Sequence, residues 1–240
     1  MLKEKRRVYI GGRLGNQLLR YFIALADSFE DNYEIETIIV VRAVNYLEKL
    51  SDLRIPTDWQ AGEGPSRIDH NLEDYIHRLF KHRSRIIDEG WLKLKKPDNF
   101  IRTKTCFHIR GTDKKVAPLR WYYKKAKSNL DENEVTYVCT DDKWRKYGLK
   151  IWLGSTGVSG INFTNQNAIK DWFTLLYTDK VYCSSSSFPL STLLFDPDKE
   201  IIVCSRKSAN YNYRVESGYI TEFPFIETAM KYCPNLRFED

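Results

Sequence analysis

Several signals that identify common protein classes are missing from this sequence. No apolar run approaches the roughly 20 residues that a membrane-spanning helix needs, and the basic start Met1–Arg7 leads into a short strand rather than a signal peptide. Neither a dense basic stripe nor an RNP-like aromatic motif is present, which argues against a nucleic-acid-binding protein. With 42% hydrophobic and 29% charged residues, the composition also excludes disorder and fibrous repeats. The sequence therefore predicts a globular chain without an integral membrane segment.

The excess of positive charge is small. Lys and Arg outnumber Asp and Glu by 38 to 32, which gives a net charge of +6. The basic residues are spread along the chain, so simple solubility explains the excess, although an anionic ligand or a membrane surface would also suit it. We expect a cytoplasmic location, with peripheral attachment to a membrane as the alternative.

Cysteine pairing is also missing from the pattern. The five cysteines are odd in number and contain no C-x-x-C pair, and most lie inside apolar, strand-like runs. This favours buried, reduced thiols over a zinc site. The residues concerned are Cys106, Cys139, Cys183, Cys204 and Cys233.

Strand-like and helix-like patterns alternate along both halves of the 240 residues, which predicts an α/β fold with parallel sheets. The basic segment Lys93–Asn99 indicates a boundary, so we expect domains over 1–99 and 100–240. In the first half the pattern predicts strands Arg7–Ile10 and Ile35–Val41, helices over 18–26 and Asn71–His82, and a loop over Trp59–Ser66. In the second half it predicts strands Thr105–Arg110, Val135–Thr140, Lys180–Ser184 and Glu200–Ser205, and helices Leu119–Leu130, Ala168–Tyr177, Phe188–Phe195 and Phe223–Tyr232.

The segment His108–Asp113 carries the first candidate site residues. Ligands in open parallel sheets bind beyond the carboxyl ends of the strands, where this segment lies. The two-residue strand period places His108 and Arg110 on one face. The guanidinium of Arg110 offers a planar fork of donors that fits phosphate oxygens, and it would stabilise charge on a diphosphate leaving group. The alternative is a structural ion pair between Arg110 and Asp113.

Two more strand ends carry polar residues. Thr140 and Asp141 follow a buried strand, and the carboxylate of Asp141 suits a purine base or a metal, whereas Asp142 is equally suited to cap the next helix. The turn Ser184–Phe188 follows another strand and presents hydroxyls and backbone N–H groups, which suits an anion. Its alternative is an ordinary serine-rich turn with a helix N-cap. Together with Arg110, these ends predict a site for a diphosphate and a base.

The glycine loop Gly11–Gln17 follows the first predicted strand and precedes a helix. It differs from a dinucleotide-binding fingerprint because the third glycine is missing and no acidic residue clearly closes the next strand. A Rossmann dehydrogenase is therefore disfavoured.

In their order along the chain, these segments resemble the alpha-1,2-fucosyltransferase family, within the wider group that includes alpha-1,6- and protein O-fucosyltransferases. His108–Asp113 is similar to the family's His-x-Arg-Arg-x-Asp motif. The other matches are Gly11–Gln17 with Gly-Gly-Leu-Gly-Asn-Gln, Asp88–Trp91 with Glu-Gly-Tyr, Thr140–Asp142 with Ser-Asp-Asp, and Ser186–Phe188 with Ser-Ser-Phe.

The resemblance implies a GT-B fold with two facing Rossmann-like domains and an inverting, metal-independent transfer of L-fucose from GDP-β-L-fucose to a glycan hydroxyl. The first domain would approach the acceptor, the second would hold the donor, and the last helix is a candidate to pack back on the first. No cofactor beyond the donor substrate is implied. Arg110 and His108 would act on the diphosphate and sugar. The implied donor-binding residues are Arg13, Gly15, Asn16, Asp113, Thr140, Asp141, Ser185, Ser186, Ser187 and Phe188.

Two departures from the family pattern leave alternatives open. Gly111 replaces the second arginine of the motif, so another GDP-deoxysugar such as GDP-rhamnose is an alternative donor. The spacing between the glycine loop and the arginine motif is short, so the acceptor, the linkage and the oligomeric state are not predicted. Asp69, Glu89 and Asp113 are conceivable general bases, and no feature selects among them. A non-catalytic nucleotide- or glycan-binding module is the alternative from a different functional class.

Overall fold

The computed structural model describes residues 3–11, 14–41, 57–59, 72–90, 96–110, 117–129, 136–140, 143–154, 161–163, 167–205, 207–208 and 223–240. Within them, the strands are β1 Glu4–Gly11, β2 Tyr33–Val41, β3 Thr57–Trp59, β4 Thr105–Ile109, β5 Thr136–Thr140, β6 Ile161–Phe163, β7 Lys180–Cys183, β8 Glu200–Cys204 and β9 Leu236–Glu239. The helices are α1 Leu14–Glu30, α2 Leu72–Lys81, α3 Arg83–Gly90, α4 Leu119–Asn129, α5 Lys143–Gly154, α6 Ala168–Leu176, α7 Ser187–Leu190 and α8 Phe223–Ala229.

The chain divides into two compact units. The first comprises Met1–Asp98 and Glu216–Tyr232, and the second comprises Asn99–Val215 and Cys233–Asp240. The segment that follows residue 215 therefore supplies residues to both units.

The first unit contains a three-stranded parallel sheet in the order β1-β2-β3. Helix α1 connects β1 to β2 and buries an apolar face, because Leu14, Leu18, Phe22 and Leu25 recur at helical spacing and are all buried. Helix α8 packs against α2, and the ring of Tyr232, just after α8, stacks on that of Phe80 at a centroid distance of 4.9 Å.

The second unit contains a six-stranded parallel sheet in the order β6-β5-β4-β7-β8-β9. The chain runs outward from β4 through β5 to β6, then returns beside β4 and runs outward through β7, β8 and β9. This is the doubly wound order, and its topological switch point lies between β4 and β7. His108 lies opposite Cys139 of β5 and Cys183 of β7 in the register.

The two faces of this sheet bury different residues. On one face, Phe107 stacks on Tyr182 at 4.9 Å, and both pack with Trp121 and Tyr122 of α4. Because side chains alternate along a strand, the neighbours of Phe107 in β4, Cys106 and His108, point to the opposite face. Trp172 and Phe173 of α6 are completely buried and lie outside this cluster.

The α/β class with parallel sheets is confirmed, with a Rossmann-like strand order in the second unit. Three strands were not predicted: β3 and β6, which have three residues each, and β9, which has four. All three lie at the edges of their sheets. Short edge strands carry too few residues to show a two-residue period.

The structure also changes the bounds of several predicted elements. Gly15 and Asn16 lie in the first turn of α1 rather than in a loop, because Leu14 is buried and begins the apolar face of the helix. Trp59 belongs to β3 instead of a loop. The helix predicted over Phe188–Phe195 ends as α7 at Leu190, and turns follow in which the hydroxyls of Ser191 and Thr192 donate to backbone carbonyls three residues back.

Candidate functional site

The end of β4 presents the two residues predicted to act on the donor. His108 is the penultimate residue of β4 and 9% exposed, and Arg110 follows the strand and is partly buried. Helix α4 anchors this end from the other face of the sheet, because the hydroxyl of Tyr122 donates to the backbone carbonyl of His108 at 2.9 Å. Tyr122 is 1% exposed, so this hydrogen bond is shielded from water. The sequence pattern gave Tyr122 no role beyond the core of a helix.

The end of β7 lies beside the end of β4. The ring of His108 is 5.4 Å from the ring of Phe188, measured between centroids, with the planes tilted by 33°. The structure therefore brings together two of the predicted strand-end motifs at the switch point, where parallel α/β sheets bind ligands.

The serine turn after β7 is built differently from the expectation. Ser185, Ser186 and Ser187 are all buried, and the side chain of Ser186 accepts a hydrogen bond from the backbone N–H of Phe188 at 3.4 Å as the N-cap of α7. The capping alternative is therefore correct for Ser186. Helix α7 has only four residues, so little of a helix dipole is available for an anion.

Sequence reasoning did not single out Ser184, the first residue of the turn. Its side chain is completely buried, and within the described part of the chain its Oγ has no hydrogen-bond partner. Leaving a buried hydroxyl unsatisfied costs about 1–3 kcal/mol, so such a group requires an explanation, and a ligand that supplies the missing partner is one. Ser184 follows directly after Cys183, which lies opposite His108 in the register, so this hydroxyl belongs to the same strand ends. Four consecutive serines gave no signal that would distinguish the first.

The end of β5 contributes Thr140, which is partly buried and lies opposite Ile109 in the register. Strand β5 borders β4 on the side away from β7, so Thr140 lies at the same edge of the sheet as Arg110. The predicted base-binding Asp141, its neighbour Asp142, and Asp113 lie outside the described residues. So does Arg13.

Two predicted donor-binding residues belong to the first unit. Gly15 is buried and Asn16 is partly buried in the first turn of α1. Among the described residues, the Oδ1 atom of Asn16 is buried and has no hydrogen-bond partner. An amide oxygen in that state suits a ligand, and its role stays a prediction.

The thiols around His108 keep this part of the sheet neutral. All five cysteines are buried and free, which confirms the expectation of buried, reduced thiols. Cys106 and Cys139 lie 3.7 Å apart between their sulfur atoms. Burial raises the pKa of the Cys139 thiol well above its ordinary value, with neighbouring Cys106 and Asp171 adding to the effect, and burial also raises the pKa of Cys183. At neutral pH the thiols of Cys139 and Cys183 are therefore protonated, so they do not oppose the binding of an anion.

Among the three conceivable bases, only Glu89 is described. It is exposed on α3 and forms an ion pair with Arg85 one turn earlier, at 2.7 Å. That contact gives Glu89 an ordinary surface role. Asp69 and Asp113 lie outside the described residues.

Neither a metal-binding cluster nor a membrane-spanning helix is found among the described residues. No group of three or more His, Cys, Asp or Glu side chains there is placed to hold a metal ion. The helices of this part of the chain are also too short or too polar to cross a membrane.

Comparison with known proteins gives structural likenesses only. No family model matches the sequence, and no curated protein matches it. The structure is similar to that of the NodZ alpha-1,6-fucosyltransferase soaked with GDP-fucose, over 87% of this chain and 98% of the other, at 12% identity and a TM-score of 0.49. NodZ co-crystallized with GDP matches over 85% and 96%, at 12% identity and a TM-score of 0.43. A glycosyl transferase family 9 protein from Veillonella parvula DSM 2008 matches over 85% and 81%, at 9% identity and a TM-score of 0.46. At these identities and TM-scores the likeness transfers no activity to this chain.

Proposed function

We propose that the chain is a glycosyltransferase of the GT-B type that transfers L-fucose from GDP-β-L-fucose to a hydroxyl of a glycan acceptor, with inversion and without a metal ion. The observation that carries the proposal is the meeting of two motifs at the switch point of a doubly wound sheet. The His108–Phe188 ring contact of 5.4 Å joins the arginine motif to the serine turn. Both segments, and their order along the chain, resemble the fucosyltransferase motifs.

In this proposal, the second unit stabilises the departing nucleoside diphosphate. Arg110, one residue beyond β4, supplies a charged fork for the diphosphate oxygens, and this charge matters most as the glycosidic bond breaks. Ser184 supplies a buried hydroxyl, Thr140 lies at the neighbouring strand end, and Asp141 accepts hydrogen bonds from guanine.

The remaining chemistry follows from the charge of the donor. The sugar develops oxocarbenium character, and the acceptor hydroxyl attacks from the opposite side and releases its proton to water. The diphosphate leaves with both electrons of the broken bond. His108, held against Phe188 and with its backbone fixed by Tyr122, positions the sugar at the strand end. Glu89 takes no part, since its carboxylate is exposed and paired with Arg85.

A thermal-shift comparison of nucleotides tests the donor class. GDP at about 100 times its Kd should stabilise the fold by roughly 2.7 kcal/mol, whereas UDP, dTDP and CMP should have much smaller effects. Arg110→Gln should abolish most of the GDP shift. The matched control is Arg120→Gln, which removes the same charge from an exposed position on α4 and should leave the shift unchanged. A response selective for UDP would overturn the proposal.

Product analysis tests the reaction itself. With GDP-fucose and a panel of glycan acceptors, Arg110→Ala should lower kcat about 10²–10³-fold, as removal of a transition-state charge contact does. Near-normal transfer by Arg110→Ala would contradict the role assigned to this residue. A parallel measurement with GDP-rhamnose identifies the sugar, and tight GDP binding without turnover of any GDP-sugar would indicate a non-catalytic module.

A further inference from the structure

Helix α5 exposes an unusual amount of apolar surface. Tyr147 is 69% exposed, Ile151 is 66% exposed and Trp152 is 44% exposed. Of the four large hydrophobic residues exposed in the described part of the chain, these three fall within six residues of one helix. Tyr147 and Ile151 are four residues apart, so they lie one above the other on the same face. Exposed apolar residues scattered singly are normal, but a cluster on one helix face indicates an interaction site.

The inner face of α5 explains why these residues face solvent. Leu149 is 1% exposed and packs into the aromatic core beneath α4, and Gly148 faces the side chain of Leu119. The side of α5 that faces the core is therefore already packed against the rest of the second unit. Tyr147 and Ile151 lie on the other side of the helix, where packing within the second unit does not require an apolar residue.

Helix α4 extends this surface. It lies beside α5 on the same face of the sheet, and the ring of Tyr123 contacts that of Trp152 edge-on at 5.6 Å. The two outer faces therefore form one continuous surface, which we call the α4–α5 surface.

The two helices of the α4–α5 surface carry charged residues of one sign only. The sequences of α4 and α5 contain eight basic residues and no acidic one. Lys125 is buried and neutralised by Glu239 at 2.6 Å, and four of the others are exposed in the structure. The exposed basic residues are Arg120, Lys124, Lys127 and Lys150.

We propose that the α4–α5 surface binds an anionic lipid bilayer, with Tyr147, Ile151 and Trp152 entering the interfacial region and the surrounding lysines and arginines contacting lipid phosphates. Exposed aromatic and aliphatic side chains with Lys and Arg around them on one helix are typical of interfacial attachment. The basic residues match the negative surface potential of an anionic leaflet. A nucleic acid would use the charges but would leave the exposed Ile151 without a partner. A protein partner would not require two helices that expose four basic residues and contain no carboxylate.

The inference does not depend on the proposed activity, because vesicle binding needs neither nucleotide nor acceptor. The whole chain is mixed with phosphatidylcholine vesicles, with or without phosphatidylglycerol as about a third of the lipid, and bound protein is measured by flotation. We expect binding only to the anionic vesicles. Raising NaCl from about 0.1 to about 1 M, which shortens the Debye length from about 10 to about 3 Å, should weaken the binding strongly.

Two pairs of variants distinguish vesicle binding by this surface from nonspecific binding. Ile151→Ser should weaken vesicle binding about tenfold, whereas Tyr177→Ser, at the remaining exposed large hydrophobic residue, should have little effect. Lys150→Glu and Lys5→Glu change the net charge equally, but only the first lies on α5, so only Lys150→Glu should weaken binding. All four positions are exposed, so folding should be preserved, and circular dichroism checks it.

Several outcomes overturn the proposal. One is the absence of binding to anionic vesicles, and another is equal loss of binding in Lys150→Glu and Lys5→Glu. Light scattering provides a third, because a dimer that Ile151→Ser dissociates would show that a second copy of the chain covers this surface. Retention of RNA in place of vesicles, with no effect of Ile151→Ser, would assign the surface to nucleic acid.

Discussion

The two faces of the six-stranded sheet are packed with different kinds of side chain. On the α4 face, Phe107, Tyr122 and Tyr182 form an aromatic core. On the α6 face, buried polar groups accompany the apolar ones: Asp171, Thr174, Ser191 and Lys199 are each no more than 9% exposed. His108 and the cysteines of β4, β5 and β7 that flank it belong to this polar face by strand alternation. The stability of the unit should therefore depend mainly on the first face, and its binding site on the second.

Truncating the aromatic core should have the largest effect on stability. Phe107 is 1% exposed and stacks on Tyr182, so Phe107→Ala should lower the free energy of unfolding by about 3–5 kcal/mol. Denaturant unfolding followed by circular dichroism measures the loss. Tyr147→Ala, at an exposed position on α5, is the control and should change stability by less than about 0.5 kcal/mol. Equal losses would show that the aromatic core is not the main source of stability.

A charged group on the polar face should make stability depend on pH. Lys199 is 3% exposed and its ammonium donates to the last carbonyls of α6, those of Leu175 at 2.6 Å and of Leu176. Burial lowers the pKa of Lys199 from its ordinary 10.5 to about 8. Between these values the unfolded chain holds a proton that the folded chain has lost, so the free energy of unfolding rises with pH.

Comparison with Lys199→Met isolates this contribution, because buried cysteines with raised pKa values act in the opposite direction at alkaline pH. The stability of the wild type minus that of the variant should rise by up to about 3 kcal/mol between pH 7 and pH 10.5. If the stabilities of the two proteins change with pH in parallel, burial does not lower the pKa of Lys199 in the folded protein.

A hydrogen bond on the polar face should contribute less. The indole Nε1 of the completely buried Trp172 donates to the hydroxyl of Ser191 at 2.8 Å, and that hydroxyl donates onward to the carbonyl of Phe188. Ser191→Ala leaves the indole N–H without an acceptor. It should lower the free energy of unfolding, measured by heat or denaturant, by about 1–3 kcal/mol. Ser128→Ala removes an exposed hydroxyl from α4 and should cost less than about 0.5 kcal/mol. Similar losses of stability in Ser191→Ala and Ser128→Ala would show that the buried hydrogen bond on the polar face contributes no more than the exposed one on α4.

The smallest effect concerns the contact that joins the aromatic face to the site. Tyr122→Phe keeps the buried ring but removes the hydrogen bond to the carbonyl of His108, at a cost of about 1 kcal/mol. If this bond holds the end of β4 in place, kcat should also fall while GDP affinity stays nearly constant. Tyr123→Phe, next along α4 and only partly buried, is the matched control. An unchanged kcat in Tyr122→Phe would limit this hydroxyl to stability.

The elements that the sequence predicted well are those whose burial follows a simple period. The predicted bounds of the buried strands β4, β5, β7 and β8 agree with the structure to within one residue, because each is a short segment of mostly apolar residues. Helix α7 was overestimated because Phe188–Phe195 has a helical pattern of apolar residues, while the local hydroxyl-to-carbonyl bonds of Ser191 and Thr192 favour turns. The sequence places the start of α1 too late, because the glycine-rich pattern that includes Gly15 indicates a loop.

The site was predictable only in outline. Strand order in the sheet cannot be read from local pattern, so the adjacency of β4 and β7, which brings His108 to Phe188, required the structure. The role proposed for Ser184 depends on its burial and on the absence of a hydrogen-bond partner among the described residues, and neither can be predicted from the sequence. The hydrogen bond of Tyr122 could not be predicted either. A tyrosine on an apolar helix face indicates core packing, and the partner of its hydroxyl is a backbone atom.

The division of the last 25 residues between the two units has a consequence for synthesis on the ribosome. Residues 216–232 complete the first unit, and β9 completes the sheet of the second. Domains usually fold in turn as they emerge, with the N-terminal one first. Here the first unit stays incomplete until residue 232 has emerged, and the second until β9 has paired with β8. Both would then acquire their final structure almost together, so until residues 216–240 have emerged the nascent chain would present two incomplete units to chaperones.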